Sequence, residues 1–329
     1  MIERRTIVAA LACGLTHGRA SAKAPAMAQI CFMSLATRVV DGASVDAFRD
    51  GLSKLGHVEG KSYRLLWLSS DGDVERAAAT LREQLKMQPI DVFLAPGPAS
   101  ARLVLRATQQ TPIVAVGLHP RGGQTDLFAS LARPGGRVTG LSNFGEELAT
   151  KRVQLLKEAM PRLTHVGVLH NVAEPVFRRW GEETAMEVRA QGLKATQLPM
   201  NSPSLPGLMD LMRGARRQGV EALVIVRDFL TATLYETIAH ASRDIGLACM
   251  AEERRFPDAG ALMSYGVNDA DLFRAAARYV DRILKGVAAA DLPIEQPNRF
   301  ELVINQKAAR ALGLALPQSL LLRADEVIK

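Results

Sequence analysis

The sequence predicts an α/β protein of two lobes, each built on a doubly wound parallel sheet, joined by a three-crossover hinge. Three observations predict it. Short apolar runs alternate with amphipathic segments of period near 3.6 along most of the chain, the pattern of right-handed βαβ units. Several runs, such as Ala222-Leu-Val-Ile-Val226, are apolar at every position, as in strands covered on both faces. The runs number about ten, more than one such sheet usually holds, which favours two sheets.

The first strands are expected at 29–35, 63–69, 91–95, 112–117 and 138–141. A second set follows at 165–170, 194–198, 222–227, 247–251 and 261–264, with a final strand at 300–305. Between them, a helix over 46–55 ends at Gly56, a natural C-terminal stop. Asp73 caps a helix over 74–87, and Pro89 ends it. Within 272–284 the residues Leu272, Ala276, Tyr279, Val280, Ile283 and Leu284 form one apolar stripe, part of a long helix over 269–285. The chain is expected to change lobe near 140–144, again near Tyr265, and finally through the proline-rich Leu292-Pro-Ile-Glu-Gln-Pro297. This gives a first lobe of 28–141 plus 266–290 and a second of 142–265 plus 291–329.

Composition narrows the function. The formal charge of +7 is dispersed and aromatic residues are only 5%. There is neither a basic stripe nor a stacking platform, so no nucleic-acid partner is expected. The start of the chain reads as an export signal. Arg4-Arg5 supplies a cationic head, residues 7–15 an apolar stretch too short to span a bilayer, and Ala20-Ser-Ala22 a small-x-small cleavage pattern. Cleavage after Ala22 leaves a formal charge of about +5. Arg4-Arg5-Thr-Ile-Val matches a twin-arginine signal only briefly, so the export route stays open. Cys13 follows Ala10-Leu-Ala12, where the leucine sits one place too close for a lipoprotein box, so lipid anchoring is not expected. Cys31 and Cys249 lie in apolar strand patterns and read as buried thiols.

No enzyme is expected. The sequence has no Gly-x-Ser-x-Gly elbow, Walker loop, His-Glu-x-x-His or paired-cysteine spacing, and with them go the usual cofactor and metal sites. His165 and His170 sit at the two ends of one strand, too far apart to chelate together.

Several segments, taken in order, resemble a family of ABC-transporter substrate-binding proteins. Phe48-Arg-Asp-Gly-Leu-Ser-Lys-Leu-Gly56 with Val58-Glu-Gly60 is similar to the family's first helix. Leu131-Ala-Arg-Pro-Gly-Gly136 and Thr139-Gly-Leu141 resemble its turn before the first hinge, and Lys151-Arg-Val-Gln-Leu-Leu-Lys-Glu158 the first helix of its second lobe. Gly260-Ala-Leu-Met-Ser-Tyr-Gly266, Pro297-Asn-Arg-Phe-Glu-Leu-Val-Ile-Asn305, and Ala311-Leu-Gly-Leu with Pro317-Gln-Ser-Leu-Leu-Leu-Arg-Ala-Asp325 resemble its closing segments. The resemblance implies the type I periplasmic binding protein fold and a periplasmic solute receptor of an ABC importer. It also implies a small organic ligand, an inner-membrane permease as partner, and relatives that take tryptophan or tyrosine. Most of these motif residues read as structural; Arg323 and Asp325 are expected to form a surface ion pair worth under about 1 kcal/mol. Repressor core domains share this architecture, so a ligand-sensing regulator is an alternative, and a small-molecule enzyme on a doubly wound sheet is another. The regulator would need a DNA-reading helix-turn-helix ahead of the first lobe, where this chain carries its export signal.

The ligand is expected at loops following the C-terminal ends of the strands. Ser34, Leu35 and Thr37 follow the first strand. Gly97, Pro98, Ala99 and Ser100 open a helix after the third, where free backbone N–H groups suit an anion or form a plain turn. Gly117 and His119 follow the fourth; His119 reads as a ligand contact or, more simply, a surface histidine. Ser142 and Asn143 sit at the first crossover and Tyr265 at the second. From the second lobe come Asn171, a ligand contact or a cap for the helix begun at Pro175, and Asp228 with Phe229. Asp228 is a partner for a ligand ammonium or a cap before Thr231. Two features depart from the family's pattern. Gly97 replaces a hydroxyl residue before the proline, and Ala251 and Glu253 stand where relatives often carry aromatics, which counts against an aromatic solute.

Overall fold

The computed structural model describes residues 27–119, 126–143, 148–201 and 204–329. The expected export signal at 1–22, with Arg4, Arg5 and Cys13, lies outside the described residues.

The first sheet contains β1 (Ala28–Met33), β2 (Tyr63–Leu68), β3 (Val92–Pro96), β4 (Ile113–Leu118) and β5 (Val138–Ser142). All its pairings are parallel, in the order β2-β1-β3-β4-β5. Crossovers run through α1 (Arg38–Lys54), α2 (Val74–Met87) and α3 (Gly97–Ala107). β4 reads Ile-Val-Ala-Val-Gly-Leu and is buried at every position, as a central strand covered on both faces requires.

The second sheet contains β6 (His165–Asn171), β7 (Lys194–Met200), β8 (Ala222–Ile225), β9 (Ala248–Ala251), β10 (Met263–Gly266), β11 (Glu301–Asn305) and β12 (Glu326–Ile328), in the order β12-β11-β10-β9-β8-β6-β7. Its helices are α4 (Ala149–Ala159), α5 (Pro175–Ala190), α6 (Leu205–Arg217), α7 (Phe229–Thr233), α8 (Tyr235–Ile245) and α9 (Arg255–Asp258). The pairing of β10 with β11 is antiparallel. The chain re-enters this sheet from the other lobe rather than through a βαβ crossover, so the returning strand runs the opposite way.

α10 (Asp269–Leu284) follows β10 yet packs on the first sheet. Its Leu272, Phe273, Ala276 and Val280 share a core with Ile30, Phe32, Phe48 and Leu52. The two helices approach closely at Gly51, where an added Cβ would lie 2.6 Å from the Arg274 carbonyl and 2.7 Å from Ala277 Cβ. The third crossover runs beside the first: Ser142 N donates to Glu295 O at 2.9 Å, and Glu295 N to Gly140 O at 3.0 Å. After it, α11 (Gln306–Ala311) and α12 (Gln318–Arg323) lead to β12.

Three expectations need correction. α1 begins at Arg38, not near residue 46: Thr37 Oγ1 accepts from Val40 N at 3.2 Å and starts the helix. Gly42 within the helix and the exposed Val39 hide this first turn from the apolar pattern. Arg323 and Asp325 do not pair with each other. Arg323 bonds Glu158 on α4, while Asp325 Oδ2 accepts from Leu302 N at 2.8 Å. The strand at 300–305 is not the final one: β12 follows it at the edge of the sheet, with too few residues to show a period. Cys31 and Cys249 are buried and unbridged, and burial pushes the Cys249 thiol up to about 12.

Candidate functional site

The C-terminal ends of the parallel strands in the two sheets face one another. The first lobe contributes Ser34 and Leu35 after β1, Pro96, Gly97 and Pro98 at the junction of β3 and α3, and Gly117 and His119 at the end of β4. The second contributes Arg227, Asp228 and Phe229 after β8, Glu253 and Arg255 after β9, and Phe177 of α5. Asp41 and Ser44 of α1, with Asp269 and Phe273 of α10, complete a cavity of about 80 Å³. Sites for small molecules usually enclose about 300–1,000 Å³, so this cleft is closed down to water-sized space. A larger hollow of about 1040 Å³ lies at the opposite pole of the first lobe, beside Ala28, Asp91 and Pro112. Those residues lie at the N-terminal ends of β1, β3 and β4, so the hollow sits at the wrong end of the sheet for a crevice site.

The cleft is heavily charged. Arg227 Nη1 lies 2.8 Å from Asp269 Oδ1, and Arg227 Nη2 lies 3.4 Å from Glu253 Oε1. Arg255 Nη2 lies 3.3 Å from Glu253 and 3.4 Å from Asp269. Burial works against each charge. For Asp269 it is outweighed by Arg227 and Arg255, which hold the carboxyl below its ordinary value. For Glu253 burial dominates and raises it. Burial also opposes the Arg227 charge, but Asp269 and Glu253 keep that guanidinium firmly protonated. Behind this group, Arg152 of α4 lies 3.2 Å from Glu252 and donates through Nε to Tyr265 O at 2.9 Å.

Asp228 opens α7 and divides its carboxylate. Oδ1 accepts from Thr231 N at 2.7 Å and lies 2.9 Å from Thr231 Oγ1, which in turn accepts from Asp228 N at 2.9 Å. Oδ2 is buried and has no hydrogen-bond partner. Burial raises this carboxyl to about 6, against the opposing pull of Thr231 and of the nearby Asn171 amide. Asn171 divides likewise: Oδ1 accepts from Ala173 N at 2.8 Å, and Nδ2 is buried outside hydrogen-bonding geometry. Asn171 does not cap α5; Glu174 holds that position without a side-chain bond.

Asp41 is the first lobe's counterpart. It lies in the first turn of α1, 5% exposed, with Oδ2 unpartnered. Burial raises it to about 6; the Ser34 hydroxyl and Arg255 lower it, while Glu253 and Asp269 raise it further. Ser34 Oγ also accepts from Ala36 N at 3.0 Å.

His119 is not on the surface. It is 3% exposed, and its ring centroid lies 3.4 Å from that of Trp180 on α5, tilted by 48°. Burial, then Arg227 and Arg152, push its pKa well below the ordinary histidine value, so the ring is neutral. Phe177 joins Trp180 at 5.3 Å and Phe229 at 6.3 Å. The aromatic wall therefore comes from α5 and α7 rather than from the segment after β9.

The remaining residues singled out in the sequence are placed as follows. α3 begins with Gly97 at φ +77° and has no side-chain cap, with Pro98 in its first turn. Ala99 and Ser100 are buried one step behind the cavity wall. Ser142 and Asn143 are buried at the first crossover, where Asn143 N donates to Leu118 O at 3.2 Å. Tyr265 packs near Phe300 at 6.2 Å and does not line the cavity. Sequence reasoning missed Asp41, Phe177, Arg255 and Asp269 as cleft residues, and noted Glu253 only as a departure from an aromatic position; Trp180, also missed, backs His119. For Glu253 and Arg255 a signal existed, because they follow the C-terminal end of β9 as the chosen loops follow other strands. Among the described residues no cluster of histidine, cysteine and acidic side chains suits a metal ion, and no described helix is long and apolar enough to cross a membrane.

Residues 37–328 match the family described as ABC transporter substrate binding protein. The chain is 21% identical over 290 residues to the tyrosine-binding protein of Clostridioides difficile (strain R20291), covering 84% of this chain and 80% of that one. Among solved structures it resembles a conserved domain protein from Vibrio cholerae O1 biovar El Tor, with 24% identity, a TM-score of 0.84, and 92% and 99% of the two chains covered. It also resembles the ABC domain in complex with L-Trp from Streptococcus pneumoniae, with 24% identity, a TM-score of 0.82, and 92% and 100% covered.

Proposed function

Because the chain belongs to the ABC transporter substrate-binding protein family, whose members bind solutes rather than catalyse reactions, we propose that it is the periplasmic receptor of an importer for an amino acid or a closely related solute. Substrate-binding proteins of ABC importers work outside the cytoplasmic membrane and hand their ligands to a transporter. For this chain the reading adds an inner-membrane permease as partner and removal of residues 1–22 on export. It also adds a first lobe of 28–141 plus 266–290 that hinges against a second lobe of 142–265 plus 291–329.

The observation that carries the reading is the buried, unpartnered Asp228 Oδ2 at a cavity between two sheets, with the uncapped start of α3 on the other side. Asp228 suits a ligand ammonium. The backbone N–H groups at the start of α3 suit a carboxylate. Each lobe then holds one end of a zwitterion, and closure completes both contacts. Relatives named as tyrosine-binding and as a complex with L-Trp support this class of ligand.

A thermal-shift screen of the chain from Lys23 against the common L-amino acids tests the proposal. A ligand at a hundredfold excess over its dissociation constant stabilises by about 2.7 kcal/mol, so at least one amino acid should raise the melting temperature by several degrees. A screen in which none does so contradicts the proposal. Mass spectrometry of the protein from its native host should give a start near Lys23; an intact N-terminus would contradict the export reading.

A further inference from the structure

We infer that the cleft selects a solute of net positive charge, an amino-acid-like ligand that carries a second cationic group besides its α-ammonium. The inference rests on the amino-acid reading above and narrows it.

Four carboxylates, Asp41, Asp228, Glu253 and Asp269, line the cavity against two guanidiniums, Arg227 and Arg255. The guanidiniums are committed. Each lies within 3.4 Å of both Glu253 and Asp269, so these four groups neutralise one another. Neither arginine can turn to a ligand carboxylate without stripping a buried acid of its partner, which is strongly unfavourable. That leaves Asp41 from the first lobe and Asp228 from the second. They are 5% and 7% exposed, and each keeps one oxygen with no hydrogen-bond partner. Asp41 has only a share of Arg255, which Glu253 and Asp269 already hold, and Asp228 faces only neutral groups. A buried carboxylate without a full counter-charge is costly, and here two of them converge on one cavity from opposite sides.

A zwitterion with a neutral side chain supplies one cation for the two acids. Its own carboxylate goes to the start of α3, so one acid stays uncompensated. A lysine- or arginine-like ligand supplies both cations, one to each lobe, and its net charge matches the surplus of the cleft. A solute of this kind differs from the tryptophan and tyrosine named for the relatives, whose side chains are neutral.

Calorimetry with matched pairs decides the matter: L-arginine against L-citrulline, and L-lysine against L-norleucine, with L-tryptophan and L-tyrosine alongside. In each pair the shape is nearly kept and the side-chain charge is removed. The cationic member should bind at least about tenfold more tightly, as a charge-assisted contact implies. Asp41→Asn, which keeps the size of the side chain, should bring the members of a pair close together. Citrulline, norleucine, tryptophan or tyrosine binding as tightly as the cations would overturn the inference and leave the amino-acid reading in place. If no amino acid binds at all, both fall.

Discussion

Arg255 Nη1 donates to Val40 O at 3.1 Å, so a side chain of the second lobe is bonded to the backbone of α1 in the first. The guanidinium also lies 5.8 Å from the Tyr235 ring centroid, and Tyr235 packs with Ala36, Val40 and Ala232 across the same boundary. Arg255 thus combines a bond that exists only when the lobes are closed with charge compensation for Glu253 and Asp269. Arg255→Gln should lose both. We expect a loss on the order of 3 kcal/mol, the usual cost of breaking a buried pair, and a larger radius of gyration without ligand. Calorimetric melting and small-angle scattering check this; a variant matching wild type in both would show that Arg255 does not hold the cleft.

Closure without ligand should depend on pH. Asp41 and Asp228 are each raised by burial to about 6, from an ordinary value near 3.8. The closed form therefore binds more protons than a form in which these groups are hydrated. Its penalty is absent below about 3.8 and grows as pH rises through about 6. The groups facing Asp41 are Ser34, Arg255, Glu253 and Asp269; those facing Asp228 are Thr231 and Asn171. Of these, the raised Glu253 acts in the same direction, and Asp269, held low, does not titrate in this window. The ligand-free radius of gyration should shrink between about pH 7.5 and about pH 5. A radius that stays constant or grows would contradict the assignment.

Trp180 offers an optical reading of closure. It is buried against His119 of the opposite lobe, whereas Trp67 contacts Phe32 and Arg38 within the first lobe. Trp67→Phe leaves Trp180 as the reporter. Its emission should move to shorter wavelength when a saturating ligand closes the lobes and water leaves the ring. An unchanged spectrum with a ligand that binds would place Trp180 in a boundary that does not open.

Gly51→Ala tests the docking of α10 on α1. The added methyl meets the Arg274 carbonyl and Ala277 Cβ well inside contact distance, and overpacking of this kind costs about 1–3 kcal/mol. Denaturant unfolding should show that loss. A neutral or stabilising outcome would mean the two helices part easily.

Much of this organisation is legible in the sequence, for physical reasons that also mark where legibility ends. A strand covered on both faces is apolar throughout, so β4 and β8 stand out from their neighbours. Loops at strand ends follow from the strands, and Ser34, Gly97, Gly117 and Asp228 come to notice that way. Asp41 does not, because Gly42 and the exposed Val39 break the apolar period of the first turns of α1. The run Glu252-Glu-Arg-Arg255 looks like solvated surface. Arg254 is indeed exposed, paired with Asp258 and Glu326. Only the return of α10, which brings Asp269 beside Arg227 and Arg255, makes Glu253 and Arg255 part of a charge cluster in the cleft. His119 looked like a surface residue because its partner, Trp180, lies on a helix of the other lobe. Asp228 and Asn171 posed a choice between capping and binding. The structure gives one oxygen of Asp228 to the cap and leaves the other unpartnered; Asn171 makes a local turn through one atom and leaves its amide nitrogen unpartnered.

The most direct test of the account is calorimetry of Asp228→Asn with whichever amino acid binds the wild type. Asparagine keeps an oxygen for Thr231 and so preserves the start of α7, removing only the charge at Oδ2. Affinity should fall about ten- to a hundredfold, the worth of a charge-assisted bond of roughly 1.5–3 kcal/mol, while Arg323→Ala, far from the cleft, binds as wild type does. Asp228→Asn binding with wild-type affinity would contradict a cleft that closes on a ligand ammonium.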